Sequence, residues 1–95
     1  MEDKITEYIT IFKEADLSEA TAISANLQNC NLEGANLTRA KFDNADLCQA
    51  NLKNANIDDA SFLGANLEEA DLTGENTRYY FAISDGTTKT KNMKL

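Results

Sequence analysis

The chain has 95 residues, of which 42% are hydrophobic and 26% charged, and its formal net charge at pH 7 is −7. This length suits one domain near the lower limit for a stable core, and the negative charge disfavours direct binding of nucleic acid. Histidine is absent, and the sequence contains neither a glycine-rich phosphate loop nor a spaced cysteine cluster. We therefore expect no catalysis, no cofactor and no metal site.

The first segment carries apolar residues at helical spacing. Ile5, Tyr8, Ile9 and Phe12 share one face of a predicted helix over residues 1–14. We interpret this segment as a short capping α-helix. A helix on a membrane surface is the alternative, but four acidic residues against two lysines give the wrong charge for anionic lipid. Because charged residues follow Met1 directly and no apolar run could span a bilayer, we expect a cytoplasmic protein.

A repeat of five residues follows, and it runs without insertion through twelve units from Ala15 to Gly74. The third residue of each unit, its centre, is apolar, and the residue two before the centre is Ala in every unit except the one with Cys30. We extend the repeat domain to residue 79, where the pattern has faded. The centres are Leu17, Ala22, Leu27, Leu32, Leu37, Phe42, Leu47, Leu52, Ile57, Phe62, Leu67 and Leu72.

A period of five excludes one long helix and one long strand. A helix would rotate successive centres by about 140°, and a strand would send them to opposite faces. Within one unit, however, Ala and the centre lie two residues apart and share a face. If the chain turns a corner before each new unit, both can point inward, and the stacked turns form a β-solenoid.

The last residue of each unit must form that corner. Gly34, Gly64 and Asn29 suit it because Gly and Asn tolerate a positive φ. Charged residues such as Arg39 and Asp59 fill the same slot elsewhere. We therefore expect more than one turn type.

The unit Ala-(Asp/Asn)-Leu, as in Ala35 to Leu37 and Ala70 to Leu72, resembles the pentapeptide-repeat protein family. The resemblance covers about two-thirds of the chain. It implies a right-handed quadrilateral β-helix with four units per coil, hence about three coils here. Such repeats are abundant in bacteria, above all in cyanobacteria.

With four units per coil, residues twenty apart are stacked. Phe42 and Phe62 should then touch in one interior column, with Cys30 pointing inward and Cys48 outward. The Asn and Asp residues before the centres should form ladders that pass hydrogen bonds from coil to coil. Since Ala22 occupies one centre, the first coil is expected to be imperfect.

Residues 80–95 are predicted to be a C-terminal cap strand and tail. Four large apolar residues cannot all face inward, so they are either covered by the tail or form the interface of a homodimer joined at the C-terminal ends. Residues 87–95 have no apolar period and are expected to fray. The candidate interface residues are Tyr79, Tyr80, Phe81 and Ile83.

Two hypotheses about function follow. The first is a non-catalytic structural or protein-binding module whose partner is a protein of unknown identity. The second is a DNA-mimicking inhibitor or protector of DNA gyrase or another topoisomerase. The resemblance implies this alternative because some pentapeptide-repeat proteins are acidic and similar to duplex DNA in shape and charge. The acidic pairs Asp58–Asp59 and Glu68–Glu69 are read as solvated corners rather than as general acids or metal ligands.

Overall fold

The computed structural model describes residues 11–74 and 86–95. Within these ranges the backbone contains no helix, and its β structure consists of isolated bridges, each one residue long on either side. The described ranges accordingly contain no helix that could cross a membrane.

The bridges define the coil. All are parallel, and the nine from Ile11–Asn31 to Asn51–Asp71 join residues twenty positions apart. Along one side of the coil, the amide of Leu17 donates to the carbonyl of Asn36 at 2.8 Å. Four five-residue units therefore complete one coil, and each coil pairs with the next through main-chain hydrogen bonds. This confirms the predicted β-solenoid and its four-unit coil.

Each corner from Glu14 to Glu69 is a β-turn, as where the amide of Ala20 donates to the carbonyl of Leu17 at 3.0 Å. Its third residue adopts a positive φ, which is 58° at Arg39, 57° at Asp59 and 70° at Gly64. For these corners the prediction of more than one turn type is wrong. The coil-to-coil bonds impose one left-handed backbone conformation on charged residues, Asn and Gly alike.

The interior is a column of apolar side chains. From Cys30 to Leu72, every centre and every residue two before a centre is buried, with at most 2% of its surface exposed. The rings of Phe42 and Phe62 stack with their centroids 5.3 Å apart and their planes 8° apart, as predicted. The first coil differs: Phe12, Leu17, Ala22 and Leu27 are only partly buried.

The predicted ladder of Asn and Asp side chains is wrong for the described residues. These side chains do not bond to one another but within their own unit: Oδ1 of Asn51, for example, accepts from the amide of Lys53 at 3.0 Å. The short side chain reaches the amide two residues on and forms an Asx turn that secures the corner. The same bond is made by Asp16, Asn26, Asn31, Asn36, Asp46, Asn56, Asn66 and Asp71. Asp46 makes one further bond to the neighbouring coil, where its Oδ2 accepts from Nε2 of Gln28 at 2.6 Å.

Residues 11–14 belong to the solenoid rather than to the predicted capping helix of residues 1–14. Ile11 pairs with Asn31, the amide of Phe12 donates to the carbonyl of Asn31, and Glu14 has the corner φ of 61°. The coil-to-coil bonds outweigh the helical apolar spacing here. The rest of the predicted helix lies outside the described residues.

Residues 86–95, called the tail below, also continue the ladder. Lys89 pairs with Asn66 and Lys94 with Asp71, which is a separation of 23 residues instead of 20. Asn92 takes the corner φ of 58°. The prediction that residues 87–95 fray is wrong, because main-chain bonds to the coil below hold them. The tail thus supplies one degenerate unit, Thr88 to Asn92, and the start of another.

Candidate functional site

The N-terminal end of the described solenoid has an apolar opening. Its volume is about 120 Å³, and its lining is wholly apolar because it is formed by the inward-facing side chains of the first coils. Ala22 leaves room at one centre, while the neighbouring Ile23 is 50% exposed. The lining residues are Phe12, Leu17, Ala20, Ala22, Leu27, Leu32 and Phe42.

The C-terminal end has a polar groove of about 230 Å³, formed where the tail meets the coil below. Its lining residues come from three successive levels, with Glu68 and Glu69 in the middle, Lys91 and Asn92 in the tail above, and Cys48 in the coil below. Nε2 of Gln49 donates to Oε1 of Glu69 at 2.8 Å and fixes one of these carboxylates. The groove therefore places two acidic side chains of one coil beside a lysine of the tail.

The cysteines are not activated. Partial burial, and then the carboxylates of Asp46, Glu69 and Glu68, raise the pKa of the Cys48 thiol. Burial raises the pKa of Cys30 to about 11. Both thiols are thus neutral at pH 7, the opposite of what a nucleophile needs. Cys30 points inward and Cys48 outward, as predicted.

Asp71 is the carboxylate most tightly held at this end. Its Oδ1 accepts from the amide of Thr73 at 2.9 Å and from the hydroxyl of Thr73 at 2.7 Å. These two bonds, with smaller contributions from Lys94 and Lys53, lower the pKa of Asp71. Asp71 stays ionised beneath the lysines of the tail.

The predicted homodimer interface lies outside the described residues, so the C-terminal homodimer stays a prediction. Its candidate residues are Tyr79, Tyr80, Phe81 and Ile83. The pairs Asp58–Asp59 and Glu68–Glu69 occupy corners, where the second residue of each pair is exposed. In residues 11–74 and 86–95 no three acidic or cysteine side chains are arranged to hold a metal ion.

The pairing of the tail with the last coil is the feature of the C-terminal end that sequence reasoning missed. Threonines replace Ala and Leu in the first unit of the tail, which hides the repeat. Two features of the sequence indicate the repeat here. Asn92 suits a corner, and Met93-Lys94-Leu95 follows the order of a unit, with a polar residue between two inward positions, although Met is larger than the usual Ala.

A protein-family model described as "Pentapeptide repeats" matches residues 10–39 and 35–74, with 8 copies of its motif. The matched residues form most of the described solenoid, and the chain belongs to the pentapeptide-repeat family. A search of curated proteins found no match to the chain.

Solved structures of pentapeptide repeat proteins are similar to the chain. One, from the Arabidopsis thaliana thylakoid lumen, is 24% identical over 88% of this chain and 57% of its own, with a TM-score of 0.42. Rfr23 from the cyanobacterium Cyanothece is 30% identical over 88% and 58%, with a TM-score of 0.39. HetL from Nostoc, involved in heterocyst differentiation regulation, is 31% identical over 90% and 36%, with a TM-score of 0.36. The chain thus spans between 36% and 58% of these relatives' own lengths.

Proposed function

We propose that the chain is a non-catalytic module that binds a partner protein through its outer surface. The observation that supports this is the division between inside and outside. The inward positions from Cys30 to Leu72 are filled by buried apolar side chains, while the outward positions, apart from Cys48 and Leu63, carry polar side chains or Gly in regular stacks. A rigid column that holds exposed side chains at fixed spacing suits recognition of a protein surface.

Charge order favours this proposal over a mimic of DNA. The corner residues form no continuous acidic stripe. In one stack Arg39 lies between Glu19 and Asp59, and its Nε approaches Oε1 of Glu19 at 4.0 Å, while the other three stacks consist mainly of uncharged residues. A duplex-like surface requires uninterrupted negative charge. A supercoiling assay with DNA gyrase at micromolar protein checks this, and we expect supercoiling to be unimpaired.

Capture from the source cell tests the proposal itself. The bait proteins are the unmodified chain, a variant with Glu68→Lys and Glu69→Lys at one corner, and a matched variant with Asp58→Lys and Asp59→Lys at another. We expect at least one protein to be retained by the unmodified chain and lost with one corner variant only. If every captured protein is retained equally by all three baits, the module has no specific binding surface and the proposal fails.

We also infer a right-handed coil, as the family resemblance implies, and closure of the apolar opening by residues 1–10. The opening needs an apolar cover, and this segment supplies Ile5, Tyr8 and Ile9. Deleting residues 1–10 should lower the urea midpoint and increase binding of a hydrophobic dye. An unchanged midpoint and unchanged dye binding would refute the cap.

The homodimer through Tyr79, Tyr80, Phe81 and Ile83 is a separate proposal. Light scattering at tens of micromolar protein should give twice the chain mass, and Phe81→Asp should give the mass of one chain. A single-chain mass for the unmodified protein would show that the C-terminal end needs no second copy.

A further inference from the structure

The tail is attached to the solenoid mainly by its backbone. The amides of Lys89 and Lys94 donate to the carbonyls of Ala65 and Ala70, each at 2.9 Å. In return, the amide of Leu67 donates to the carbonyl of Lys89 at 2.7 Å, and that of Leu72 to the carbonyl of Lys94 at 2.8 Å. Because these bonds use only main-chain atoms, any extended segment in the same register can make them.

The inward positions of the tail are filled unevenly. Thr88 takes the place of Ala, is buried, and donates its hydroxyl to the carbonyl of Phe62 at 2.8 Å, whereas Thr90 takes the place of a buried centre yet is exposed. Leu95, at the next centre, is 52% exposed, whereas Leu67 and Leu72 directly below are fully buried. The tail therefore gains little from apolar burial compared with a regular unit, which would place Ala and Leu in these slots.

The outward side of the tail carries three lysines, Lys89, Lys91 and Lys94. Lys91 lines the groove with Glu68 and Glu69. Lys94 pairs through its backbone with Asp71 and makes a small contribution to lowering the pKa of that carboxyl group. A segment that docks here should carry lysine or arginine at these three positions.

We propose that the last coil edge, residues 65–72, is a strand-addition site that the tail fills in the free protein and that an extended, lysine-bearing segment of a partner protein fills by displacing the tail. This deepens the proposed function and rests on the chain being a protein-binding module. The partner segment carries a small residue and a leucine two apart, with a basic residue between them, and repeats this pattern five residues later.

Displacement requires the partner to outcompete a tethered strand. A short tether gives the tail an effective concentration of the order of millimolar. The partner compensates by placing Leu where the tail places the exposed Thr90, since each added buried methylene strengthens binding several-fold. The weakly filled centre of the tail is thus what makes the tail exchangeable.

The test uses the full chain and a fluorescent ten-residue peptide with the sequence of residues 86–95 carrying Thr90→Leu, which fills the exposed centre and keeps the buried hydroxyl of Thr88. Anisotropy should show saturable binding. A matched peptide that also carries Lys89→Glu, Lys91→Glu and Lys94→Glu should bind roughly tenfold more weakly or worse. No saturable binding of the first peptide up to about 1 mM overturns the proposal.

Hydrogen exchange locates the bound peptide. In the full chain the amides of Lys89 and Lys94 should lose protection when the peptide binds, whereas those of Leu67 and Leu72 should keep it, because the peptide replaces the same acceptors. Binding that leaves the tail amides protected overturns strand addition. If a peptide with the unaltered tail sequence binds as tightly as the improved one, inward filling does not select the partner and the proposal also fails.

A variant of the full chain completes the design. Thr90→Leu fills the empty centre of the tail itself and should weaken binding of the improved peptide roughly tenfold. Unchanged peptide binding in this variant contradicts displacement. Should the peptide fail while one corner variant still loses a captured protein, strand addition is wrong and the proposed function stands.

Discussion

The middle coils and the two ends of the solenoid share one backbone geometry but differ in what they bury. In the middle, Leu47 and Leu52 are covered by a coil on either side and are at most 1% exposed. In the first coil Leu17 and Leu27 are only partly buried, and in the tail Thr90 and Leu95 are exposed. Hydrogen bonds alone therefore define the coil, while apolar burial decides how firmly each coil is held.

Substitution of a central leucine should have the largest effect. Leu52→Ala removes a fully buried side chain between two coils and should lower the free energy of unfolding by about 2–5 kcal/mol. Leu17→Ala, in the first coil, should cost only about 1–2 kcal/mol because part of this side chain is already in water. Urea unfolding followed by circular dichroism measures both. Equal losses would remove the difference between middle and end.

Gly74 marks where the regular coils stop, and its φ of 135° differs from that of the other corners. A Cβ there would lie 2.9 Å from the backbone N and Cα atoms of Asn54. Gly74→Ala should therefore cost about 1–3 kcal/mol in the same unfolding measurement. Gly86→Ala is the control, since nothing lies within 4 Å of its Cβ position, and should change stability by less than about 0.5 kcal/mol.

Contact between the two phenylalanines can be isolated by a double-mutant cycle. Phe42→Leu and Phe62→Leu should show a coupling of about 0.5–1.5 kcal/mol, because their rings stack across adjacent coils. Phe62→Leu combined with Leu17→Ala, two coils away, should be additive within about 0.5 kcal/mol. A similar coupling energy in both cycles would mean that the substitutions interact through the whole column and not through direct ring contact.

The smallest expected effect is the contribution of Asp71 to stability at acid pH. Bonds from Thr73 lower the pKa of Asp71 in the folded chain, so the stability it contributes is present above its unfolded pKa and is lost as the pH falls through the folded value. Asp71→Asn keeps the acceptor oxygen but cannot titrate. Its urea midpoint should fall less between pH 6 and pH 3 than that of the unmodified chain.

Thr73→Val is the companion variant for this measurement, because it removes the hydroxyl donor and leaves the amide donor in place. It should reduce the pH dependence part of the way. If both variants show the pH dependence of the unmodified chain, Asp71 makes no contribution to acid stability at this end.

The sequence predicted the solenoid well because its period of five is incompatible with a single helix or strand. It predicted the ends poorly for two reasons. Phe12 lies five residues before Leu17 and belongs to the repeat, but its helical spacing with Ile5 and Ile9 suggested a cap. In the tail, backbone pairing holds a segment whose threonines carry no apolar signal, and main-chain bonds leave little trace in a hydrophobic pattern.

The outward Asn and Asp side chains were placed correctly, but their bonding was not predicted. Stacking twenty residues apart suggested bonds between coils, whereas the shorter path leads to the corner amide of the same unit. A local partner two residues away requires less ordering than a partner in another coil. The groove beside Cys48 could not be predicted because it needs the tail in register.

The sequence spacing between paired residues rises from 20 to 23 where the tail pairs with the last coil. The register therefore depends on completing a coil and not on a fixed number of residues. Residues 75–87 provide thirteen positions where two units would use ten, yet Lys89 and Lys94 meet their partners as regular units do. Extra chain can thus be accommodated between coils without shifting the coils that follow. We therefore expect this position between Gly74 and Thr88 to tolerate insertion. A tag, a recognition loop or a second domain could be added there, and the backbone pairing would continue from Lys89.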